Sequence, residues 1–498
     1  MTHMQLPLII QDGMVLQRRT PVCIWGKALK GSLVTVKLAD ETAYCIAENG
    51  MFAAYLPPME AGRGLTMTIS SNGDLVTIFD VAVGEVWLAG GQSNMEFLLR
   101  DDAEAAEEMQ GDLPDVRCFE VPKIAYSGQD LDRDYASVGL WRKARGAEAK
   151  YFTAVGYYFA KKLQAELDVP VGIVNCTWGG TSASAYVSPD DLTGKLKPYL
   201  DRAAEAQAKL DSATELDRYR KLQYTMDNMP FDNSMSNLAP IKPDPAIMAS
   251  MAEMGELFLS RYSPFRPCGL YETMLKPTAP YTISGVIWYQ GESDAAYADT
   301  YEALMQAMIA RWRALWKAEL PFLIVQLASF EEMMEPLDFV PIRAAQERLT
   351  KSCNKVWLAC AMDAGMRYDI HPKHKRPIGE RLAMQAISKV YGKAILADSP
   401  APEGAKREGD ELVLRFAHTG DGLVCRGETP ETLELIVDGV ARSGFSARVE
   451  GNELCITSPE IAAATSVTVA FCQHPFCTDN VYNSAGLPML PFVYTLES

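Results

Sequence analysis

Between residues of about 85 and 395, short apolar runs alternate with longer segments whose apolar residues recur every three to four positions. Gly285–Tyr289 is one such run, and residues of about 300–316 follow it with helical spacing. A short continuous apolar run is typical of a buried strand, whereas the longer spacing predicts an amphipathic helix. Strands that alternate with helices form βαβ units. We therefore expect an α/β fold with a parallel sheet covered on both faces.

The two ends of the chain lack this helical spacing. Residues 1–84 and the residues from about 396 onward contain short β-branched runs between Gly, Pro and Asn turn signals, which predicts small β-sandwich-like domains. We expect three domains, over residues 1–84, 85–395 and 396–498. Residues of about 190–265 interrupt the central alternation. They predict a helical and irregular insertion that covers or borders the functional site, because long insertions in compact domains are often functional.

Charge and composition narrow the range of partners. The net charge is −17, which disfavours nucleic acid because phosphate binding needs a basic surface. No apolar run approaches the ~18 residues of a membrane helix, and the acidic balance also disfavours anionic membranes. The 11 cysteines include no C-x-x-C spacing, which favours buried thiols in a reducing compartment. With no export signal recognised, we expect a cytoplasmic protein, or a periplasmic or secreted one if a leader was removed.

Polar or glycine-rich clusters follow four of the predicted strands. Two glycines precede Ser93, Gly179 and Gly180 follow a second strand, and Gln290 follows a third. His371 lies in the loop after the strand that ends near residue 362. Open α/β sheets place their sites at the carboxyl ends of strands, so these clusters predict one convergent site.

Each cluster also has a plainer interpretation. Ser93 lies near the start of a helix, where unpaired N–H groups can stabilise an oxyanion, but it could equally be an N-cap with Glu96 completing a capping box. His371 is the best-placed general base of the five histidines, or else a solvated loop residue. Gln290 could donate its side-chain N–H to an oxyanion, with Glu292 behind it in support. The Gly179–Gly180 loop could be an ordinary strand-to-helix turn.

Taken together, the motifs resemble the sialate O-acetylesterase family of the SGNH (GDSL-like) hydrolase superfamily. The N-terminal segments Asp12–Arg18 and Pro21–Gly26 resemble the leading β domain of that family. The other matching segments, in chain order, are Val83–Leu88, Gly91–Glu96, Trp178–Thr181, Gly285–Ser293 and Asp369–Lys373.

The resemblance implies a flavodoxin-like α/β catalytic domain and an ester hydrolase that removes acetyl groups from sugars. It makes Ser93 the nucleophile and His371 the base that takes its proton and later hands it to the leaving hydroxyl. It assigns the oxyanion donors to the Ser93 N–H, the Gly180 N–H (Gly179 if the loop is shifted) and the Gln290 side chain. It implies no metal or organic cofactor, and no ligand cluster with plausible metal spacing exists.

The acid that would orient His371 is less well defined. The superfamily usually has an aspartate three residues before the histidine, and here that residue is Tyr368. Asp369, two residues before, matches the string Asp-Ile-His-Pro and is the preferred candidate. A backbone carbonyl or Asp363 are the alternatives.

Four further residues have open roles. Trp178 and Tyr289 could offer aromatic faces to a sugar ring or belong to the core. Arg343 and Gln346 resemble family positions near the site, or else lie on a solvated helix face.

Three functions remain open at this stage. The first is a serine esterase for O-acetylated sialic acid, and the second is an acetyl-xylan or other polysaccharide deacetylase with the same mechanism. The third is a non-catalytic carbohydrate-binding protein. The expected partner is an acetylated sugar, and the oligomeric state is not predicted.

Overall fold

The computed structural model describes residues 4–129, 139–227, 254–331 and 337–497. The described residues fall into two units. The first unit contains the residues up to 227, together with 254–293 and 303–322, and the second contains 294–302 and the residues from 323 onward.

The N-terminal part of the first unit consists of strands. β3 pairs antiparallel with β4 and β6, β2 pairs antiparallel with β5, and β6 pairs antiparallel with β7. Apolar residues alternate with exposed ones, as in β5, where Phe52, Ala54 and Leu56 are buried. The strands are β1 (Val15–Gln17), β2 (Val22–Lys27), β3 (Leu33–Leu38), β4 (Glu41–Ile46), β5 (Met51–Leu56), β6 (Gly62–Ser71) and β7 (Asp74–Gly91).

Strands and helices alternate in the residues that follow, as the sequence predicts. The α-helices are α1 (Ser93–Glu96), α2 (Ala105–Glu108), α3 (Ala154–Leu167), α4 (Lys197–Ala208), α5 (Glu215–Asp227), α6 (Lys276–Thr278), α7 (Ala298–Trp316), α8 (Val340–Ser352) and α9 (Arg376–Gln385). The strands are β8 (Asp112–Glu120), β9 (Trp141–Arg145), β10 (Val171–Thr177), β11 (Gly285–Tyr289), β12 (Phe322–Gln326) and β13 (Val356–Cys360). The 3-10 turns are Leu99–Asp101, Gly146–Tyr151, Ala183–Tyr186, Pro189–Asp191, Gly194–Leu196, Gly255–Leu259, Glu292–Tyr297, Met362–Ala364 and Pro459–Ile461, and the π turns are Tyr271–Leu275 and Ala386–Val390.

The central sheet of the first unit has the order β11-β7-β10-β8-β9. β7 is parallel to β10 and β11, and β10 is parallel to β8. The edge strand β9 is antiparallel to β8, so the sheet is mixed rather than wholly parallel as expected. Antiparallel neighbours need no crossover helix, and no helix is described between β8 and β9.

The helices bury the faces that the sequence predicts. In α3 these are Val155, Phe159 and Leu163, and the Thr153 side chain caps the helix by accepting the Gly156 N–H at 3.2 Å. The first part of the expected insertion over residues of about 190–265 contains two helices, α4 and α5. Asp211 lies between them, and its side chain accepts the backbone N–H of Ala213 at 3.1 Å. Such a local hydrogen bond competes with helix formation, which accounts for the break.

In the second unit β12 lies beside β13, and after α9 the chain continues mainly as strands. Two four-stranded antiparallel sheets, β14-β15-β20-β19 and β18-β17-β21-β23, contribute buried residues to one apolar cluster that includes Leu414, Leu454 and Phe471. The strands are β14 (Ala401–Glu408), β15 (Glu411–Ala417), β16 (Leu423–Cys425), β17 (Leu433–Val437), β18 (Val440–Arg442), β19 (Ser446–Glu450), β20 (Glu453–Thr457), β21 (Ser466–Phe471), β22 (Val481–Asn483) and β23 (Phe492–Glu497).

Two further sequence-based expectations concern membrane-spanning helices and the state of the cysteines. None of the helices in the described ranges combines the length and the apolar character needed to cross a bilayer. All 11 cysteines lie in described residues and are free thiols, and most of them are buried.

Candidate active site

The turn after β7 places Ser93 at the carboxyl end of the central strand. Gly91 lies opposite Thr177 of β10 and opposite Tyr289 of β11, so three strands end at one level. Gly91 has a φ of +133°, and a Cβ at this position would lie 2.1 Å from the carbonyl oxygen of Tyr289. Only glycine permits this close approach. The chain then turns into α1, which begins at Ser93.

Glu96, the last residue of α1, does not cap the helix that contains it. The N-cap residue is Gln92 rather than Ser93. The Glu96 carboxylate instead accepts the backbone N–H of Gly179 at 2.6 Å and forms an ion pair with Lys123. The capping-box interpretation of Ser93 is therefore wrong, because the glutamate that it requires points across to the loop after β10.

The glycine loop after β10 lies against the nucleophile candidate. A Cβ added to Gly179 would lie 3.4 Å from the Cβ of Ser93. The loop is closed by the Thr181 hydroxyl, which donates to the carbonyl of Trp178 at 2.7 Å. Gly180 has a φ of +74°, a backbone conformation that residues other than glycine rarely adopt. The predicted convergence of Ser93 with this loop is present in the first unit.

A buried tyrosine fixes the end of β7 from behind. The Tyr186 hydroxyl donates to the Gly91 carbonyl at 2.9 Å. Burial raises the pKa of Tyr186 well above its usual range, so the phenol stays protonated and remains a donor. The Trp178 N–H donates to the same carbonyl at 3.2 Å, which ties the glycine loop to the turn.

Gln290 follows β11 directly and is fully buried. Its side-chain Nε2 donates to the carbonyl of Thr181 at 3.3 Å, which places the amide beside the glycine loop. The third cluster therefore lies with the first two at the same edge of the sheet.

Two side-chain contacts join the Ser93 turn to the loop after β11. The Asn94 Nδ2 donates to Glu292 Oε1 at 2.6 Å, and both residues are buried. The Ser293 N–H donates to Gln92 Oε1 at 3.2 Å. Glu292 thus has the supporting position that the sequence suggests, with Asn94 as a hydrogen-bond partner.

Acidic groups surround the glycine loop on the β8 side. Glu120, at the end of β8, accepts the side-chain N–H of Asn175 at 2.6 Å. Desolvation raises the pKa of Glu120 to about 8, although the nearby Lys123 ammonium opposes this shift. Glu120 was not among the predicted site residues, and Glu96 was assigned only to a capping box. Glu120 is the last residue of β8 and Glu96 lies five residues after the end of β7, and this closeness to strand ends was the available signal.

His371 and Asp369 belong to the second unit and are close to each other there. Asp369 is fully buried, and its Oδ1 accepts the backbone N–H of His371 at 2.8 Å. Its Oδ2 lies 3.2 Å from the ammonium of Lys373. The aspartate therefore shapes the loop that carries the histidine.

Asp363, the alternative acid, is engaged elsewhere in the second unit. Its two carboxylate oxygens lie 2.6 and 2.7 Å from the two terminal nitrogens of Arg381. Both side chains are largely buried. This bidentate pair gives Asp363 a structural partner of its own.

Arg343 and Gln346 of α8 are buried, so the solvated-face interpretation is wrong. Arg343 donates to backbone carbonyls, including those of Ala328 at 3.1 Å and Pro475 at 2.8 Å. Gln346 accepts the Leu327 N–H at 3.0 Å. Both side chains hold the loop that follows β12.

The two aromatic candidates have different environments. Tyr289 is fully buried, which corresponds to the core alternative. Trp178 is half-buried and lines a cleft beside the glycine loop. Across the described parts of the chain, no cluster of three or more His, Cys, Asp or Glu residues is arranged to hold a metal ion.

Comparison with known proteins gives a consistent relationship. The family model described as "Carbohydrate esterase, sialic acid-specific acetylesterase" matches residues 227–388, a range that includes Gln290, Asp369 and His371. The sialate O-acetylesterases of Mus musculus and Homo sapiens are each 26% identical over 434 residues, which cover 79% of this chain and 75% and 72% of theirs. A solved carbohydrate acetylesterase from Xanthomonas citri is 29% identical, covers 99% of both chains and superimposes with a TM-score of 0.76.

These similarities confirm the resemblance that the motifs predict. The fold is a mixed α/β fold with a mixed central sheet, as the described strands show. The chain is related to the sialate O-acetylesterases, and these similarities indicate a carboxylic ester hydrolase.

Proposed function

We propose that this protein removes O-acetyl groups from sugars, with O-acetylated sialic acid as the preferred substrate, through a Ser-His-Asp acyl-enzyme mechanism. The observation that carries the proposal is the meeting of three strand ends in the first unit. There Ser93 lies against Gly179, and Gln290 donates to the neighbouring Thr181. A hydroxyl beside backbone and amide N–H groups is the arrangement that acyl transfer requires.

In the proposed reaction the Ser93 hydroxyl attacks the ester carbonyl carbon while His371 accepts the hydroxyl proton. The resulting tetrahedral adduct carries its negative charge on the former carbonyl oxygen. When the adduct collapses, the bond to the sugar oxygen breaks, and His371 returns the proton to that oxygen. Water, deprotonated by His371, then attacks the acetyl group on Ser93. The bond between Ser93 Oγ and the acetyl carbon breaks, acetate leaves, and His371 returns the proton to Ser93 Oγ.

We assign the oxyanion donors to the N–H groups of Ser93 and Gly180 and to the Gln290 side chain. The neighbouring Gly179 N–H already donates to the Glu96 carboxylate, which favours Gly180 of the two glycines. Gln290 is fully buried and is held by its contact with Thr181, so its amide is fixed in place before substrate arrives.

We further propose Asp369 as the acid of this mechanism, and it lies with His371 in the second unit. Asp369 would orient His371 by fixing its loop, through the hydrogen bond to the His371 backbone N–H. The proposed architecture is an SGNH-like, flavodoxin-like domain over residues 85–395 with β domains at 1–84 and 396–498.

An acetyl-xylan or other polysaccharide deacetylase with the same mechanism is the second candidate. The solved relative from Xanthomonas citri carries the broader description of a carbohydrate acetylesterase, which favours keeping the sugar open. A non-catalytic carbohydrate-binding protein is the third candidate, and the esterase relatives argue against it.

Acetate release from a panel of O-acetylated sialic acids, acetyl-xylan and acetylated peptidoglycan fragments tests this proposal. We expect release from the sialic acids and a loss of turnover that can approach ~10⁶-fold in Ser93→Ala. A Ser93→Ala protein that folds and keeps the wild-type rate would refute the nucleophile. Release from xylan alone would select the second candidate.

A further inference from the structure

A cleft lined mainly by aromatic and aliphatic side chains lies beside the glycine loop, and we call it the aromatic cleft. It measures about 420 Å³, including open solvent at its mouth. Its walls include Trp178, Tyr219, Leu222, Leu257, Phe258 and Phe265.

One wall of the aromatic cleft is formed by the glycine loop after β10, which carries the proposed oxyanion donor Gly180. Trp178 belongs to that loop, and a Cβ added to Gly180 would lie 3.1 Å from the ring of Phe265. Gly179, the next residue, lies against Ser93. Only the few residues of the glycine loop therefore separate a ligand in the cleft from the proposed nucleophile.

The walls have the chemistry of a site for a flat apolar face. The rings of Phe258 and Phe265 are stacked, with centroids 4.3 Å apart and an interplanar angle of 5°. Phe258 nevertheless remains 37% exposed, so part of this aromatic surface faces water. None of the described residues that line the cleft carries a charge, so we expect any carboxylate of the ligand, such as that of a sialic acid, to lie outside the cleft.

We propose that the aromatic cleft binds the alcohol portion of the ester, as a ring that presents an apolar face to Phe258 and Phe265. This inference rests on the proposed function. The acyl side of an acetyl ester is only a methyl group, which is close in size to a water molecule with its volume share of about 30 Å³, so it fills little of the cleft. A sugar ring seen from its C–H face and an aryl group share the required shape.

Phe258→Ala is the variant of choice, since the exposed part of this ring makes truncation tolerable. 2-Naphthyl acetate is the ring-bearing probe, and ethyl acetate is the probe without a ring. We expect KM for 2-naphthyl acetate to rise about three- to tenfold with kcat within about twofold, which is the usual worth of an aromatic contact. The kcat/KM for ethyl acetate should not change. Phe79→Ala, at an exposed phenylalanine outside the cleft, is the matched control.

Two further substrates identify the side and the source of the ring. If Phe258→Ala impairs a mono-O-acetylated methyl hexoside as much as 2-naphthyl acetate, the cleft binds the sugar face. If only the naphthyl ester is impaired, the ring is an aryl group. Loss of p-nitrophenyl butyrate hydrolysis with no change for 2-naphthyl acetate would place the acyl chain in the cleft and overturn the proposal. Equal impairment of ethyl and 2-naphthyl acetate would also overturn it.

Direct binding separates this inference from the esterase proposal. Trp178 lines the cleft, so 2-naphthol should change the tryptophan fluorescence of the full chain, and Phe265→Leu should weaken that binding. Thermal unfolding of Phe265→Leu checks that the variant is folded. If wild type binds 2-naphthol but hydrolyses no ester, the proposed function fails while the cleft is retained as a ring-binding site. If wild type hydrolyses esters but Phe265→Leu binds 2-naphthol as wild type does, only the cleft assignment fails.

Discussion

Glu96→Ala tests how the glycine loop, which carries the proposed oxyanion donor Gly180, is held in place. The Glu96 carboxylate accepts the Gly179 N–H at 2.6 Å and pairs with Lys123, so truncation removes both contacts at once. The Gly179 N–H belongs to the Trp178–Gly179 peptide, and the Gly180 N–H lies on the next peptide of the same loop, so fixing the first peptide limits the position of the second. We expect the Gly180 N–H to lose its alignment with the oxyanion. Because the oxyanion forms only in the transition state, the loss should lower kcat and leave KM nearly unchanged.

The size of this effect follows from the nature of the bond. A hydrogen bond to a charged group contributes about 1.5–3 kcal/mol. Each 1.36 kcal/mol is a factor of ten in rate, so the range corresponds to roughly 10- to 150-fold. The Glu96 and Lys123 side chains are 28% and 21% exposed, so water can replace part of the interaction. We therefore expect kcat to fall about 10- to 30-fold in Glu96→Ala with KM within about twofold.

Steady-state kinetics on p-nitrophenyl acetate measures both constants. Glu96→Gln keeps an acceptor oxygen without the charge, and since a neutral bond is about half as strong, its kcat should fall only about three- to fivefold. Glu107→Ala, at an exposed glutamate of α2, is the control and should match wild type. A folded Glu96→Ala with kcat within twofold of wild type would refute the positioning argument. A rise in KM at constant kcat would mean that Glu96 contacts the substrate instead.

The remaining predictions concern the acidic groups. Asp363→Asn breaks the largely buried pair with Arg381, so it should lower the free energy of unfolding by about 3 kcal/mol in urea titrations and leave kcat nearly unchanged, whereas Asp369→Asn should lower kcat strongly. The reverse pattern would make Asp363 the orienting acid. Glu120 has its pKa raised from 4.5 to about 8, so the folded protein holds a proton that the unfolded chain releases, and this contribution to stability is present below about pH 4.5 and lost as pH rises through 8. Glu120→Gln should therefore raise Tm relative to wild type increasingly between pH 5 and pH 8, and a difference that does not vary with pH would contradict the assignment.

The sequence predicted the features that depend on local pattern. Apolar runs and helical spacing located β11 and α7 to within a few residues, because burial on one or both faces of an element leaves a periodic signature. The clusters after β7, β10 and β11 meet in the structure, since parallel strands end at the same edge of a sheet. In these cases one element determines the outcome by itself.

Features that depend on contacts between elements could not be predicted in this way. The partner of Glu96 is Gly179, 83 residues later, and nothing in the local sequence distinguishes this contact from a capping box. Tyr289 follows Trp288 in a strand buried on both faces, so alternation could not show that its ring lies in the core. The aromatic cleft combines Trp178 with Phe258 and Phe265 of the insertion, which no periodicity connects.

The sequence pattern changes near residue 84 from β-rich to alternating strands and helices, and the structure there also depends on contacts between elements. β7 runs without a break from Asp74 to Gly91, pairing with β6 in its first half and with β10 and β11 in its second. Where these partners change, the buried Glu85 carboxylate accepts hydrogen bonds from Arg18 at 2.6 Å and from Ser284 at 2.5 Å. One carboxylate thereby ties residues next to β1 and β11 to the strand that ends at the Ser93 turn. The N-terminal strands are thus part of the support of the site, because any shift of β7 along its length would move the turn that carries the proposed nucleophile.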